Sequence, residues 1–333
     1  MPDLINERQV LKLLQSDQSA LLVNTSGGKD SDAMLKAIWD WAQRYKISPD
    51  RIHVIHAHLG RNEWTFALEH VKKYTRKITG KDPIIVERPQ GDVLQMWEDR
   101  YQRLQEQGRT TTPHWSSSAH RYCSSGAKRS QVNKAIIRMF PRDWKIINCI
   151  GIRGDESALR KRATTFKYQE KSPTTPTLNR HVYTWLPIHQ WTLADVWASL
   201  GWTLEDLAAL QAEVRESVTP GDWDALRTIC EQWGWEYALS YPLGNSRMSC
   251  RLCVMSNQSD LQNGIAWNPE HFRDISELER RSGFSFQSGQ WLSDLGLDHL
   301  SDEEIEALGQ AKLSNLEYQR LNQPDHPTQL PLI

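Results

Sequence analysis

Residues 26–31, Ser-Gly-Gly-Lys-Asp-Ser, combine the features needed to bind an anion. A β-prone stretch precedes them, and residues 31–45 after them carry apolar side chains at roughly helical spacing. A glycine turn between a strand and a helix lets backbone N–H groups approach a phosphate, and the helix dipole favours negative charge there. The sequence therefore predicts a phosphate-binding loop. Its members are Ser26, Gly27, Gly28, Lys29, Asp30 and Ser31.

Two further stretches end predicted strands with polar side chains. The first contains His56 and His58, and the second contains Gly151 and Arg153. Because the carboxyl ends of parallel strands border one crevice, both stretches are expected near the loop. We expect Arg153 and Gly151 at the phosphates, since a guanidinium binds phosphate bidentately. His56 and His58 are candidates to assist base or substrate binding, with ordinary strand-end histidines as the alternative.

A basic run follows Arg153 along the chain. Two interpretations of this run are about equally favoured: it binds a phosphate-rich substrate, or it is the solvated face of a helix. Its further members are Arg160, Lys161, Arg162, Lys167 and Lys171.

The cysteines are the second group that could do chemistry. Cys250 and Cys253 form a C-x-x-C turn whose two sulfurs can reach one metal, and Cys123 would supply a third ligand if the loops converge. Three thiolates suit an iron–sulfur cluster, and zinc would need a fourth ligand, for which Cys230 is the reserve. The alternatives are unliganded thiols or a redox pair, and Cys149 and Cys230 are expected to be buried.

Alternating strand and helix patterns must position these groups. Their spacing predicts an α/β fold with a doubly wound, mostly parallel sheet and a C-terminal helical extension. We expect one domain over residues 1–260, with a helical insertion at 202–236, and an extension with a tail over 261–333. A helical pattern is predicted after Ser157 as far as Lys171, and the tail from Asn322 is expected to be poorly ordered. The predicted strands are residues 21–25, 51–60, 83–89, 144–152 and 184–188.

Composition excludes several classes of protein. The 333 residues carry a net charge of −1, so any contact with nucleic acid must use a local patch. No apolar run approaches the ~20 residues of a membrane span, and the first ten residues lack a signal-peptide pattern. Five cysteines are too few for a disulfide scaffold. A cytoplasmic protein is therefore the expectation.

An ordered set of motifs resembles the phosphoadenosine-phosphosulfate (PAPS) reductase family of PP-loop proteins. SGGKDS is similar to the PP-loop with which ATP pyrophosphatases hold ATP while AMP is transferred. The resemblance covers about residues 18–260. The other motifs are HAHLGRNEW from His56, RYCSSGAKR from Arg121, GIRGDES from Gly151, LPIHQWTLADVW from Leu186 and GNSRMSCRLC from Gly244.

Two departures guide the choice within this family. Its thioredoxin-dependent reductases carry a C-terminal catalytic cysteine, whereas no cysteine follows Cys253 here. Plant-type reductases use an adjacent Cys-Cys pair, whereas Ser124 follows Cys123. The pattern of Cys123, Cys250 and Cys253 is closest to the sulfur-insertion branch, which includes DNA-phosphorothioation enzymes, and is similar to that of PP-loop tRNA thiolases. The family commonly has Asp where His58 stands.

The resemblance implies an ATP pyrophosphatase of the adenylyltransferase type that activates an acceptor for sulfur insertion. Lys29, Asp30 and Arg153 are its implied catalytic residues, with ATP, Mg²⁺ and a 4Fe-4S cluster as cofactors. The implied partners are a cysteine desulfurase and a nucleic-acid substrate or other modification subunits. No association with a membrane is expected, and formation of a homodimer is left open.

Two alternatives remain at this stage. One is a PAPS or adenylyl-sulfate reductase of sulfate assimilation, and the other is a non-catalytic subunit that binds nucleotide and zinc.

Overall fold

A computed structural model describes residues 2–169, 181–248 and 250–321, with the backbone alone for 317–321. Its described residues form two compact units. The first unit comprises the described residues of Met1–Val93 and Tyr122–Arg251, and the second comprises Leu94–Arg121 and the described residues from Leu252 onward.

The α-helices are α1 (Glu7–Leu14), α2 (Lys29–Arg44), α3 (Ala67–Thr79), α4 (Val93–Glu106), α5 (Ser130–Met139), α6 (Ala158–Lys161), α7 (Leu193–Ser199), α8 (Leu204–Ser217), α9 (Trp223–Gln232), α10 (Gln258–Trp267), α11 (Pro269–Ser282) and α12 (Asp302–Leu321). The strands are β1 (Ser19–Asn24), β2 (Ile52–His58), β3 (Ile84–Glu87), β4 (Lys145–Cys149), β5 (Phe166–Tyr168) and β6 (His181–Trp185).

One six-stranded sheet organises the first unit. Its strand order is β3-β2-β1-β4-β6-β5, and all neighbouring strands are parallel except β5, which runs antiparallel to β6. The chain moves outward from β1 to β3 and then returns to the other side of β1 at β4. Because crossovers between parallel strands are almost always right-handed, this change of direction is expected to place helices on opposite faces of the sheet. The predicted doubly wound, mostly parallel fold is confirmed.

Strand β1 is buried on both faces because helices cover both. Ala20 and Leu22 belong to a core cluster that includes Val132 and Ile136 of α5. On the α2 side, the Trp41 ring lies 5.6 Å from that of Trp185 in β6. A strand covered on two sides reads as a continuous apolar run, which is the pattern of residues 20–23.

The edge of the sheet beyond β4 differs from the prediction. The helical pattern expected as far as Lys171 is wrong, because α6 ends at Lys161 and residues 166–168 form β5. Phe166 pairs with Trp185 in the ladder, and its ring stacks on Tyr183 at 5.7 Å. Cross-strand packing of this kind overrides a weak helical spacing. Lys171 itself lies outside the described residues.

The last predicted strand is displaced by three residues. Residues 184–188 were expected, whereas β6 spans His181–Trp185. The helix that follows begins at a clear cap, since Thr192 caps α7 through a capping box with Asp195. The predicted helical insertion at residues 202–236 contains α8 and α9.

The second unit has an aromatic core of its own. The Trp97 ring lies 5.3 Å from Trp115 and 5.8 Å from Phe286. The buried Glu279 carboxylate accepts backbone N–H bonds from Phe286 and Leu292. These contacts group residues 94–121 with the C-terminal helices, whereas the domain boundary expected from the sequence follows residue 260. The tail from Asn322 lies outside the described residues.

None of the helices in the described ranges is both long and apolar enough to cross a membrane.

Candidate functional site

The turn from β1 into α2 needs glycine at one position. Gly27 has φ of +73°, a conformation that other residues adopt only with strain. A Cβ on Gly27 would lie 3.0 Å from Cγ2 of Val71 and 3.1 Å from Cδ2 of His70. The residue is therefore constrained both by its backbone and by helix α3 beside it.

Hydroxyl groups fix the shape of the loop from inside. The Ser31 Oγ accepts a hydrogen bond from the Ser26 N–H at 3.1 Å and donates to the Gly28 carbonyl at 2.8 Å. The Tyr241 hydroxyl accepts from the N–H groups of Lys29, at 2.9 Å, and Met248, at 3.2 Å. Burial raises the pKa of Tyr241, so this phenol stays neutral. The loop is thus preorganised by contacts both within the motif and from a distant segment.

Two cations and two carboxylates meet beside the loop. The Lys29 Nζ donates to the Ser246 carbonyl at 3.1 Å and lies 3.3 Å from Asp30 Oδ2. Arg153 pairs with Asp30 through its Nε and with Asp155 through Nη1, at 2.5 and 2.6 Å. Burial lowers the pKa of Lys29, although the negative charge of Asp30 acts to raise it. Asp30 therefore holds both cations at the start of α2.

The end of β4 packs directly on this loop. A Cβ on Gly151 would lie 3.0 Å from the Asp30 carbonyl oxygen and 3.2 Å from the Ser31 nitrogen. The structure thus brings together two motifs that are about 120 residues apart in the chain. Close backbone approach explains why glycine occupies this position.

A second group of polar side chains lies at the end of β2. The His56 Nδ1 is 3.0 Å from the Thr25 carbonyl oxygen, and its Nε2 is 3.2 Å from the Glu63 carboxylate. The His58 Nδ1 lies 2.8 Å from Glu63 Oε2. Both ring nitrogens of His56 therefore contact protein groups.

The carboxylate between these histidines is strongly perturbed. Burial alone would raise the pKa of Glu63, but its hydrogen bonds to His56 and His58 lower that pKa to about 2. The hydrogen bond to Glu63 also raises the pKa of His58, in opposition to the effect of burial. Glu63 is therefore ionised near neutral pH.

A short loop holds Glu63 beside the strand. Gly60 turns it with φ of +61°, and Arg61 pairs with Asp92 at 2.7 Å. The backbone N–H of Arg251 donates to the Asn62 carbonyl at 2.9 Å, and its side-chain Nε donates to the Glu63 carbonyl at 2.5 Å. These contacts fix the position of the carboxylate.

Sequence reasoning missed three contributors to this region. Glu63 lies in a loop beyond the end of β2, where no strand or helix repeat relates it to His56, and Tyr241 reaches the phosphate-binding loop from more than 200 residues away. The third is Asp32, which is fully buried and lies 2.7 Å from the His70 Nε2. The first-turn position of Asp32 in α2 was the only local signal for it.

The thiols divide into two groups by burial. Cys149 and Cys230 are buried, as predicted, and burial raises the pKa of Cys230 to about 12. Cys123, Cys250 and Cys253 are half-buried, and all five cysteines lie in the described residues without a disulfide among them. Cys123 and Cys250 belong to the first unit and Cys253 to the second. The three-thiolate site stays a prediction.

The basic run that follows Arg153 does not form one surface helix. Arg160 pairs with Glu156, and Lys167 lies on β5. Arg153 differs from them because it is only 4% exposed and is held at the loop.

The fold and the loop define an α/β protein with a glycine-rich strand–turn–helix unit of the kind that binds phosphate. The family model for the "Phosphoadenosine phosphosulfate reductase domain" matches residues 20–203, which is more than half of the chain. The chain belongs to this family. Membership indicates an enzyme that binds a nucleotide in sulfur chemistry.

Other comparisons add less. No protein of curated function matches the sequence. A crystal structure of phosphoadenylyl-sulfate (PAPS) reductase from Candida auris, in a phosphate complex, is 13% identical. The match covers 59% of this chain and 77% of that chain, with a TM-score of 0.36.

Proposed function

We propose that this protein is a PP-loop ATP pyrophosphatase that adenylates an acceptor for sulfur insertion. The observation that carries the proposal is the preorganised loop at residues 26–31, with Lys29 and Arg153 both held by Asp30. Backbone N–H groups at the start of α2 and two adjacent cations are the groups needed to bind a polyphosphate and stabilise its charge.

Each residue of the loop has a distinct part in this reaction. The N–H groups of Gly28 and Asp30 at the start of α2 bind phosphate oxygens, while Ser26 and Ser31 keep the loop in shape. Lys29 and Arg153 stabilise the charge that develops at phosphorus, and Gly151 lets the end of β4 pack against the backbone of the loop. Asp30 orients both cations and would help to hold the Mg²⁺ that accompanies ATP.

The chemistry has two balanced steps. An acceptor oxygen attacks the α-phosphorus of ATP, the bond to the β-phosphate oxygen breaks, and pyrophosphate leaves. Sulfide then attacks the activated acceptor atom, and AMP leaves with the former acceptor oxygen. The first step is useful because AMP is a far better leaving group than hydroxide.

The sulfur would be supplied near the thiols. Cys123, Cys250 and Cys253, with Cys230 in reserve, would hold a 4Fe-4S cluster that supplies sulfide, and a cysteine desulfurase would be the donor. Zinc is the second metal for this donor set. The half-buried state of these three thiols supports the assignment, since ligands must be accessible to an incoming metal. DNA or RNA is the proposed acceptor.

The decisive assay measures both possible products. The purified protein is incubated with ATP, Mg²⁺, sulfide and either DNA or tRNA, and pyrophosphate and incorporated sulfur are measured. Anaerobic absorbance and metal analysis are made on the same sample. Acceptor-dependent pyrophosphate release by a brown, iron-containing protein is the expected result. A colourless zinc protein without turnover would instead identify a nucleotide-binding subunit.

A second candidate function is reduction of a sulfonucleotide. It is favoured by the description of the family model that matches residues 20–203. The same loop would then hold the phosphates of PAPS or adenylyl sulfate. Sulfite formed from either compound with a thiol donor, without pyrophosphate release from ATP, would replace the first proposal with this one.

A further inference from the structure

The side chains of His56, His58 and Glu63, here called the β2 cluster, have the geometry of a metal site. One ligand atom from each residue lies within 4.8 Å of the other two. The separations from the Glu63 carboxylate are 3.2 Å to His56 and 2.8 Å to His58. Two atoms bound to one tetrahedral zinc ion at about 2.05 Å lie about 3.3 Å apart. The three groups are therefore near metal-binding separation.

The two hydrogen-bond acceptors that face the His56 ring favour a positive charge beside its Nε2. Its Nδ1 faces the Thr25 carbonyl, which can only accept, so Nδ1 carries the proton. In a neutral imidazole Nε2 then has a lone pair, and this lone pair faces the Glu63 carboxylate, another acceptor. A cation between them, or a second proton on a ring that is only 2% exposed, must relieve this contact.

We propose that the β2 cluster binds one divalent transition-metal ion through His56 Nε2, His58 Nδ1 and the Glu63 carboxylate. Two imidazoles and one carboxylate suit zinc, iron(II) or cobalt, whereas magnesium prefers oxygen ligands. Three protein ligands leave a coordination position for water or substrate, as in zinc sites that perform catalysis. The more exposed side of the cluster is at His58, whose side chain is 23% exposed.

The surroundings of the β2 cluster match those of known metal sites. A metal-bound histidine usually donates its other ring N–H to a carbonyl or carboxylate, and Thr25 supplies that acceptor for His56. The carboxylate ligand is held in turn, because Arg251 binds the carbonyls of Asn62 and Glu63. Such outer contacts orient the ligands before a metal arrives.

The site would lie next to the phosphate-binding loop. Thr25 directly precedes Ser26, and its N–H donates to the Ile55 carbonyl at 2.9 Å in β2. A metal ion here would place positive charge and a bound water at the edge of that loop. Binding of the ion itself requires no turnover of ATP, so it can be tested independently of the proposed function.

The test uses zinc as the probe. The full-length protein is washed with chelator, and zinc binding is measured by calorimetry in a background in which Cys123, Cys250 and Cys253 are serine. We expect one equivalent of zinc to bind. His58→Gln keeps an N–H donor toward Glu63 but offers no lone pair on nitrogen, so it should weaken zinc affinity more than about tenfold. Glu63→Gln should do the same.

A matched control lies on the same strand. His53 faces the opposite side of β2, against Phe140, and His53→Gln should leave zinc affinity unchanged. Circular dichroism verifies that each variant folds, and if Glu63→Gln does not, His58→Gln alone decides. Cobalt(II) absorption in the same background should show nitrogen and oxygen ligation that His58→Gln abolishes.

Two results would overturn the proposal. The first is no zinc binding by the chelator-washed background protein, which would make the cluster a hydrogen-bonded network without a metal. The second is unchanged zinc affinity in both His58→Gln and Glu63→Gln.

Discussion

The ends of β1 and β2 are neighbours in the sheet, yet they carry opposite chemistry. At the end of β1, backbone N–H groups and two buried cations gather around Asp30. At the end of β2, two imidazoles surround a buried carboxylate. The first arrangement suits an anion, and the second suits a cation.

The two strand ends nevertheless share one backbone feature. Each leaves its strand through a glycine with positive φ, Gly27 at +73° and Gly60 at +61°. The position of a strand end therefore determines where a site forms, whereas the side chains that pack there determine which ligand the site takes. The following variants test whether the two ends act independently.

Replacing the lysine of the β1 end should have the largest effect. Lys29→Ala removes a buried cation beside the loop, so pyrophosphate release should fall by roughly 10²–10³-fold, as when one charge-stabilising donor is lost. The zinc affinity of the β2 cluster should be unchanged in this variant. Lys36→Ala, on the same helix in a half-buried pair with Asp40, is the control. Unchanged pyrophosphate release in Lys29→Ala would remove the catalytic assignment of the loop.

Gly60→Ala should disturb the β2 end. A Cβ there would lie 2.7 Å from the Asp92 Cβ, in addition to the positive φ. Overlap and backbone strain together should cost about 2–4 kcal/mol of unfolding free energy and displace Glu63. Denaturant unfolding and zinc calorimetry measure both effects. A greater loss of pyrophosphate release than of zinc affinity would contradict the separation of the two ends.

Gly27→Ala is the corresponding change at the β1 end. Its Cβ would approach side chains of Val71 and His70, which can shift slightly, so we expect a cost of about 1–3 kcal/mol and weaker ATP binding. Gly80→Ala shares the positive φ, +71°, but its Cβ would meet nothing within 4 Å. The difference in unfolding free energy between the two variants isolates the contact. Equal losses would show that only backbone strain matters.

Tyr241→Phe should have the smallest effect. It leaves the buried N–H groups of Lys29 and Met248 without their shared acceptor, at a cost of about 1–3 kcal/mol. ATP binding should weaken several-fold, whereas zinc affinity should be retained. Tyr237→Phe removes the hydroxyl of a half-buried tyrosine, which donates to the Leu200 carbonyl, without touching the loop. If both variants bind ATP equally well, Tyr241 has no part in shaping the loop.

Much of the first unit could be predicted because its signals are local. Strand β1, the glycine turn and α2 follow one another in the sequence, and Thr192 and Thr203 mark helix starts through capping boxes. The parallel sheet follows from repeated strand–helix spacing. The convergence of the β1 and β4 ends also follows, because parallel strands end at one edge.

Other features depend on partners far away in the chain. Strand β5 exists through its pairing with β6, and residues 94–121 join the C-terminal helices through Trp97, Trp115 and Phe286. No spacing along the sequence encodes these contacts.

The sequence by itself determined the strand–turn–helix unit, its glycines and its cations, since backbone conformation and hydrophobic periodicity act over a few residues. Only the tertiary structure decided that Tyr241 would hold the loop and that Glu63 would meet His56 and His58. Those meetings depend on how separate segments pack, and packing is a property of the whole fold.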